Sequence, residues 1–192
     1  MFRSLRYQAE YWLVVWRIRL FICWLEDHLA VFAMVGLPVV VLGSIVHFVY
    51  ADQMRVAHAR QRAADLRCLA ENIYFEARSE PLAGQHAVAE VTLNRVESWR
   101  FPDTVCEVVH EARWDPARKR RIAAFSWTQL KDTHEPRGAA WQKAMAAATA
   151  VYDGKQAPVV SGALFYHTTS IYPYWAKEKE VVATIANHVF YR

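Results

Sequence analysis

Residues 29–51 read LAVFAMVGLPVVVLGSIVHFVYA, a run of 23 with no Asp, Glu, Lys or Arg. A bilayer span needs roughly 20 apolar residues at about 1.5 Å of rise each, so the run has the length and composition of a single transmembrane helix. Pro38 is tolerable inside a span, and His47 lies near one end, where a polar tip reaches the interface. A buried core helix is the other home for an all-round apolar stretch, but it would need a larger domain around it. A cleaved signal peptide fits poorly. Val49-Tyr50-Ala51 loosely resembles a cleavage site, yet 28 residues precede the run and it exceeds the usual apolar region of a leader. The expectation is an uncleaved anchor.

This anchor accounts for the composition. Hydrophobic residues make up 54% and aromatics 14% of 192 positions, and the excess sits at the N-terminus rather than throughout. Residues 1–28 carry Trp12, Trp16 and Trp24 with Arg3, Arg6, Arg17 and Arg19. They read as an interfacial segment lying in the headgroup zone, because two central arginines are costly in lipid. Charge does not orient the span: residues 1–28 and 52–71 each hold four arginines.

Residues 52–65, DQMRVAHARQRAAD, form a polar helical stalk or linker, and residues 66–192 a globular domain long enough for one core. Asp65 is placed to cap a helix through Leu66, Leu69, Ala70, Ile73 and Ala77, stopping near Glu80 before Pro81. Pro81-Leu-Ala-Gly84 reads as a turn, followed by a helix over 85–96 and another over 101–112 with Pro102 at its start. A long polar loop is expected over 113–124, then an alanine-rich helix over 138–152 ended by Gly154. Residues 163–169 and 181–191 each read as an extended segment. The fold class is therefore α+β, mostly helical, with a small C-terminal β element.

Some chemistries are excluded early. A net charge of +4 is too small and scattered for nucleic acid, and no recognition-helix or RNA-binding pattern is present. It suits a partner that is anionic on average. The basic run 118–121 is ordinarily a solvated loop; wall polymer or lipid is the alternative. His110-Glu111 and His134-Glu135 begin like the zinc motif HExxH, but Trp114 and Gly138 stand where the second histidine is needed. No metal or other cofactor is expected. Cys23, Cys68 and Cys106 form no CxxC. Cys68 and Cys106 either pair in an oxidising compartment or are two small buried residues.

The stretch from Ala70 to Val96 contains Glu76-Ala-Arg-Ser-Glu-Pro81, then Gly84-Gln85, then Leu93-Asn-Arg-Val96. These blocks resemble the SleB-type cell-wall hydrolase family, which includes spore-cortex-lytic enzymes. Phe101-Pro102, Val105-Cys106, Phe125-Ser-Trp127, Tyr166-His167, Pro173-Tyr-Trp175 and His188-Val-Phe-Tyr-Arg192 follow in order, so the resemblance covers essentially all of 66–192. Ser79 stands for a family glycine, and Ala186 where an Ile-Gly pair is usual.

The resemblance implies a lysozyme-like catalytic domain and a lytic transglycosylase that acts on peptidoglycan glycan strands, with Glu76 as catalytic acid. Glycosidic cleavage needs a proton delivered to the leaving oxygen, and a carboxyl supplies one near neutral pH when a partly apolar site raises its pKa. The substrate's C6 hydroxyl then attacks, and the same glutamate can take its proton. Glu80, one turn on, either raises the pKa of Glu76 as a like charge or is a solvated helix end. Arg78 binds a substrate carboxylate or caps the helix. Gln85, Ser126, Tyr166, His167 and Trp175 are candidates for the sugar groove, with ordinary packing as the other reading. The partners implied are peptidoglycan and the lipid bilayer. The catalytic domain is then outside the inner membrane and residues 1–28 in the cytoplasm. Plain muramidase hydrolysis, a peptidoglycan-binding protein without turnover, and a phage lysis enzyme are the competing readings.

Overall fold

A computed structural model describes residues 2–116, 118–130 and 134–192, without the side chains of 2–10 and 32. Arg3 and Arg6 thus lie outside the described side chains. The chain divides into two units, Met1–His58 and Ala59–Arg192.

In the first unit, helix α1 spans Phe2–Val31 and continues through the expected boundary at residue 28. A π-helical turn, Phe32–Gly36, then leads into α2, Leu37–Ala77. The widened turn has a local cause. Pro38 has no N–H to give the carbonyl four residues back, and its ring crowds that carbonyl, so the ladder opens just before it. The apolar residues find no cover: the most hydrophobic 18-residue window of the helix has mean hydropathy 2.6 and is 0% buried. By length and composition this helix is able to cross a membrane.

In the second unit α2 runs on without the break expected at Asp65. That carboxylate is no cap. It is buried, accepting from Gln61 Nε2 at 3.0 Å and from the Tyr152 hydroxyl at 3.1 Å. After α2 the chain turns through Glu80, and α3 spans Leu82–Glu97. The residues expected to form only a turn already belong to it: Gly84 and Gln85 both donate to the Pro81 carbonyl. Gly84 is required by close approach, because a Cβ there would lie 3.0 Å from the Glu80 Cβ.

Helix α3 divides two apolar clusters. Ala89 packs with Leu69, Ile73, Val109, Trp127 and Ala148 on one side, and Val88 and Val91 pack with Ala77, Val160 and Phe190 on the other. Asn72 bridges the larger cluster, donating to Thr92 Oγ1 at 3.2 Å and accepting from Trp127 Nε1 at 3.1 Å. Helix α4 is shorter than expected, Val105–Val109, because Thr104 caps it by accepting from the Glu107 N–H. Cys68 on α2 and Cys106 on α4 form a disulfide, and Cys23 is free and exposed.

The region expected to be a polar loop forms an antiparallel hairpin, β1 (Ala112–Asp115) with β2 (Arg120–Ala123). Helix α5 spans Gly138–Tyr152, as expected. The C-terminal sheet has the order β3 (Phe165–Thr168), β5 (His188–Tyr191), β4 (Val181–Ile185). Residues 181–191 are thus a hairpin rather than one strand. Its turn holds Ala186 at φ 48°, in the left-handed region that costs a side-chain-bearing residue roughly 1–2 kcal/mol. The structure thereby explains the glycine usual near this position in the resembling family. Ser79, the other departure, is not among the described positive-φ residues, which are Lys119 and Ala186 besides glycines. Ala186→Gly is expected to raise stability by about 0.5–1 kcal/mol, measured by thermal unfolding; a loss of stability would contradict the strain.

Candidate active site

Glu76 lies in the last turn of α2, one residue before its end, where the helix carries it out of the core. It is half-buried. Burial pushes its carboxyl above the ordinary value, opposed by the Tyr166 hydroxyl and the Arg95 charge. The Tyr166 hydroxyl donates to Glu76 Oε2 at 3.2 Å from β3. Burial together with this carboxylate holds the phenol well above its usual range, so it stays a donor.

Arg95 approaches from α3. Its Nε donates to the Leu164 carbonyl at 2.8 Å, and the guanidinium lies 5.3 Å from the Phe101 ring centroid and 5.1 Å from that of Phe125. Its Nη1 is buried with no hydrogen-bond partner among the described residues. Stacking between two aromatic faces is an arrangement a planar guanidinium accepts.

These groups line a cleft of about 470 Å³, whose other walls include Ser126, Phe165, His167, Trp175 and His188. A second hollow of about 250 Å³ shares Arg95 and Phe165 and reaches Glu111 and Arg113. His167 is fixed as wall: Nδ1 must donate to the Thr168 carbonyl at 2.9 Å, so in the neutral ring Nε2 accepts from the Tyr191 hydroxyl at 2.7 Å. Trp175 packs edge-on against His167, with centroids 5.6 Å apart.

Ser126, Tyr166, His167 and Trp175 therefore meet Glu76 at the cleft, whereas Arg78, Glu80 and Gln85 are not among its lining residues. Arg78 is exposed over the Tyr74 ring at 5.3 Å. Glu80 is buried rather than a solvated helix end, and its charge is not among the causes that shift Glu76. It accepts from Asn187 N at 3.2 Å and Asn187 Nδ2 at 3.0 Å, pinning the β4–β5 turn. Gln85 is buried beside it, donating to the Glu80 carbonyl at 3.1 Å. Arg95 and His188 are cleft residues that sequence reasoning missed. Both sit inside matched blocks, but nothing in those blocks says which side chain turns inward. His110 falls beside Glu71 and Cys68 with ligand atoms within 4.8 Å, but Cys68 is disulfide-bonded and offers no thiolate.

Removing the Tyr166 hydroxyl removes a group that favours the charged form of Glu76. An acid catalyst must be protonated, so activity falls as pH rises through its pKa. Tyr166→Phe is expected to move that falling limb to higher pH, read from rate against pH. A move to lower pH would contradict the hydrogen bond's role.

A family model described as Cell Wall Hydrolase matches residues 79–191. The chain belongs to this family. The match begins just beyond Glu76. Among similar curated proteins are the spore cortex-lytic enzyme of Oceanobacillus iheyensis, 53% identical over 49 residues, covering 26% of this chain and 18% of that enzyme, and that of Bacillus subtilis strain 168, 51% identical over 47 residues, covering 24% and 15%. The similarity thus spans less than a fifth of these relatives. Two solved structures are similar. One is the catalytic domain of the Bacillus cereus SleB protein, with TM-score 0.47, 29% identity, and coverage of 67% of this chain and 89% of that one. The other is the catalytic domain of the germination-specific lytic transglycosylase SleB from Bacillus anthracis, with TM-score 0.49, 29% identity, and coverage of 67% and 93%.

Proposed function

We propose that this cell wall hydrolase cleaves peptidoglycan glycan strands between N-acetylmuramic acid and N-acetylglucosamine by lytic transglycosylation, with Glu76 as the general acid. One observation carries the reading: among the described cleft-lining residues Glu76 is the single carboxylate, and its pKa is raised. Glycosidases that hydrolyse with two flanking carboxylates need a partner for it. A transglycosylase does not, because the sugar's own C6 hydroxyl is the nucleophile. The family membership and the spore cortex-lytic relatives support the substrate class.

The protein acts from a membrane anchor at residues 29–51, with 1–28 at the cytoplasmic face, 52–65 as a stalk and 66–192 as the catalytic domain on the extracytoplasmic side. The uncovered apolar helix supports the anchor, and the Cys68–Cys106 disulfide supports the outer location, since such bonds persist in oxidising compartments.

Full-length protein in detergent micelles, mixed with purified peptidoglycan sacculi, is expected to lower their turbidity and release soluble muropeptides. Protein that sediments with the sacculi without releasing fragments would instead be a binding module.

A further inference from the structure

The cleft contains a second titratable side chain that the single-glutamate scheme leaves idle. His188 on β5 is 3% exposed and lines the same cleft as Glu76. Its Nδ1 is sealed from solvent with no hydrogen-bond partner among the described residues. Behind that nitrogen, 3.9 Å away, lies Glu80 Oε2. Glu80 is not free to swing off, because Asn187 holds both of its carboxylate oxygens. Nε2 is not among the sealed, unpartnered atoms, and His188 lines the cleft, so Nε2 is the ring nitrogen open to a bound sugar.

At 3.9 Å the Glu80 carboxylate is beyond hydrogen-bond reach of Nδ1, but its charge favours the tautomer that carries the proton there, which leaves a lone pair on Nε2. Burial draws His188 below its ordinary value, opposed by the Glu80 charge and reinforced by His167, so the ring is the neutral, accepting form. The Tyr166 ring meets the His188 ring edge-on with centroids 5.4 Å apart, and the Phe190 ring lies 6.2 Å away. Because the Tyr166 hydroxyl reaches Glu76, one tyrosine separates the acid from the imidazole. Glu76 and His188 thus share one cleft as two groups whose surroundings push them towards opposite proton roles.

Building on the glycan-cleaving role of Glu76, we propose that His188, oriented by Glu80, is a second catalytic residue that accepts the proton of the attacking C6 hydroxyl. The step balances. Glu76 gives its proton to the glycosidic oxygen as the C1–O bond breaks. The C6 oxygen bonds to C1, and its proton passes to His188 Nε2. The imidazolium forms beside the Glu80 carboxylate, then releases its proton to solvent while Glu76 is reprotonated. Glu80 is a positioning residue here. This role explains why a buried carboxylate is placed against a cleft histidine instead of against the substrate.

The test uses the full-length protein in detergent, digesting purified sacculi, with products separated into anhydro and reducing ends by mass spectrometry. A general base contributes roughly 100-fold or more. His188→Gln is expected to lower the anhydro-forming rate about 100-fold and raise the fraction of reducing ends, because water no longer competes against an activated hydroxyl. In Glu80→Gln the amide oxygen accepts from the Asn187 N–H, and its NH2 donates to Asn187 Oδ1 once that side-chain amide turns round, so the variant is expected to melt near the wild type. Its rate is expected to fall about 10-fold, one tautomer no longer being favoured, with the same product shift. A purely structural role for either residue would not change the product ratio. If His188→Gln melts early, Glu80→Gln decides. Wild-type rates and product ratios in the folded variants, with Glu76→Gln inactive, overturn the assignment to His188 and leave Glu76 standing. An active Glu76→Gln overturns the glutamate reading and this assignment with it.

Discussion

Glu76→Gln is expected to lower the release of soluble muropeptides about 1,000-fold, within the range general acid catalysis supplies. The amide fills the same space beside Tyr166 and keeps a hydrogen bond to its hydroxyl, but has no proton of suitable acidity to give. The same substitution is expected to leave the fold intact and to raise the melting temperature slightly at neutral pH. The sign follows from linkage. The folded-state pKa of Glu76 is raised, chiefly by burial, so the native state holds this proton more tightly than the unfolded chain. Relative stability is then greatest at low pH and declines as pH rises through the folded-state value, where a charge must be kept in a half-buried site. Glutamine removes that cost. A variant that keeps a tenth or more of wild-type activity, or that melts far below it, would assign Glu76 to structure rather than to chemistry.

The second large effect concerns the disulfide. Cys68 and Cys106 are 38 residues apart and join α2, which carries Glu76, to α4. Closing a loop of that length restricts the unfolded chain by about 4 kcal/mol in the loop-entropy account. The double replacement Cys68→Ser, Cys106→Ser is expected to lower the melting temperature of the catalytic unit by about 10–15 °C. The same loss is expected when the wild type is scanned with excess reductant, and the variant is expected to be indifferent to that reductant. Reductant that leaves the wild-type transition unmoved would contradict a stabilising bond. The free Cys23 lies in the other unit and does not confuse the comparison.

The helices were largely legible in the sequence because their signals are local. The spacing of Leu66, Leu69, Ile73 and Ala77 announces the buried face of α2, and the alanine run followed by Gly154 gives α5 with its bounds. The misses follow from contacts made over long separations. Asp65 has the chemistry of a cap, but Tyr152, 87 residues away, recruits its carboxylate and the helix runs through. Glu80 looks like a solvated helix end until Asn187, 107 residues on, folds over it. The hairpin at 112–123 was hidden because its strands carry arginines where an alternating pattern would carry apolar residues. The Trp114–Arg121 and Asp115–Arg120 pairs emerge only once the two strands face each other.

The site shows the same division. Glu76 stood out through the block shared with the resembling family, since a lone glutamate at a helix end reads as a surface residue, and Tyr166, His167 and Trp175 through residue type within matched blocks. Arg95 and His188 did not, since an arginine in a helix and a histidine in a strand most often face solvent or pack passively. Their inward direction depends on Leu164 and on the Glu80–Asn187 contact, neither of which is local in sequence.

The central claim is that one carboxylate suffices because the substrate supplies the nucleophile. Its most direct test is the chemistry of the new chain ends in a wild-type digest of purified sacculi, read by mass spectrometry after borohydride treatment. The account predicts non-reducible 1,6-anhydro-muramyl ends, lighter by one water than the hydrolytic product. Reducible muramic acid ends as the sole product would contradict it, leaving a muramidase in which water attacks.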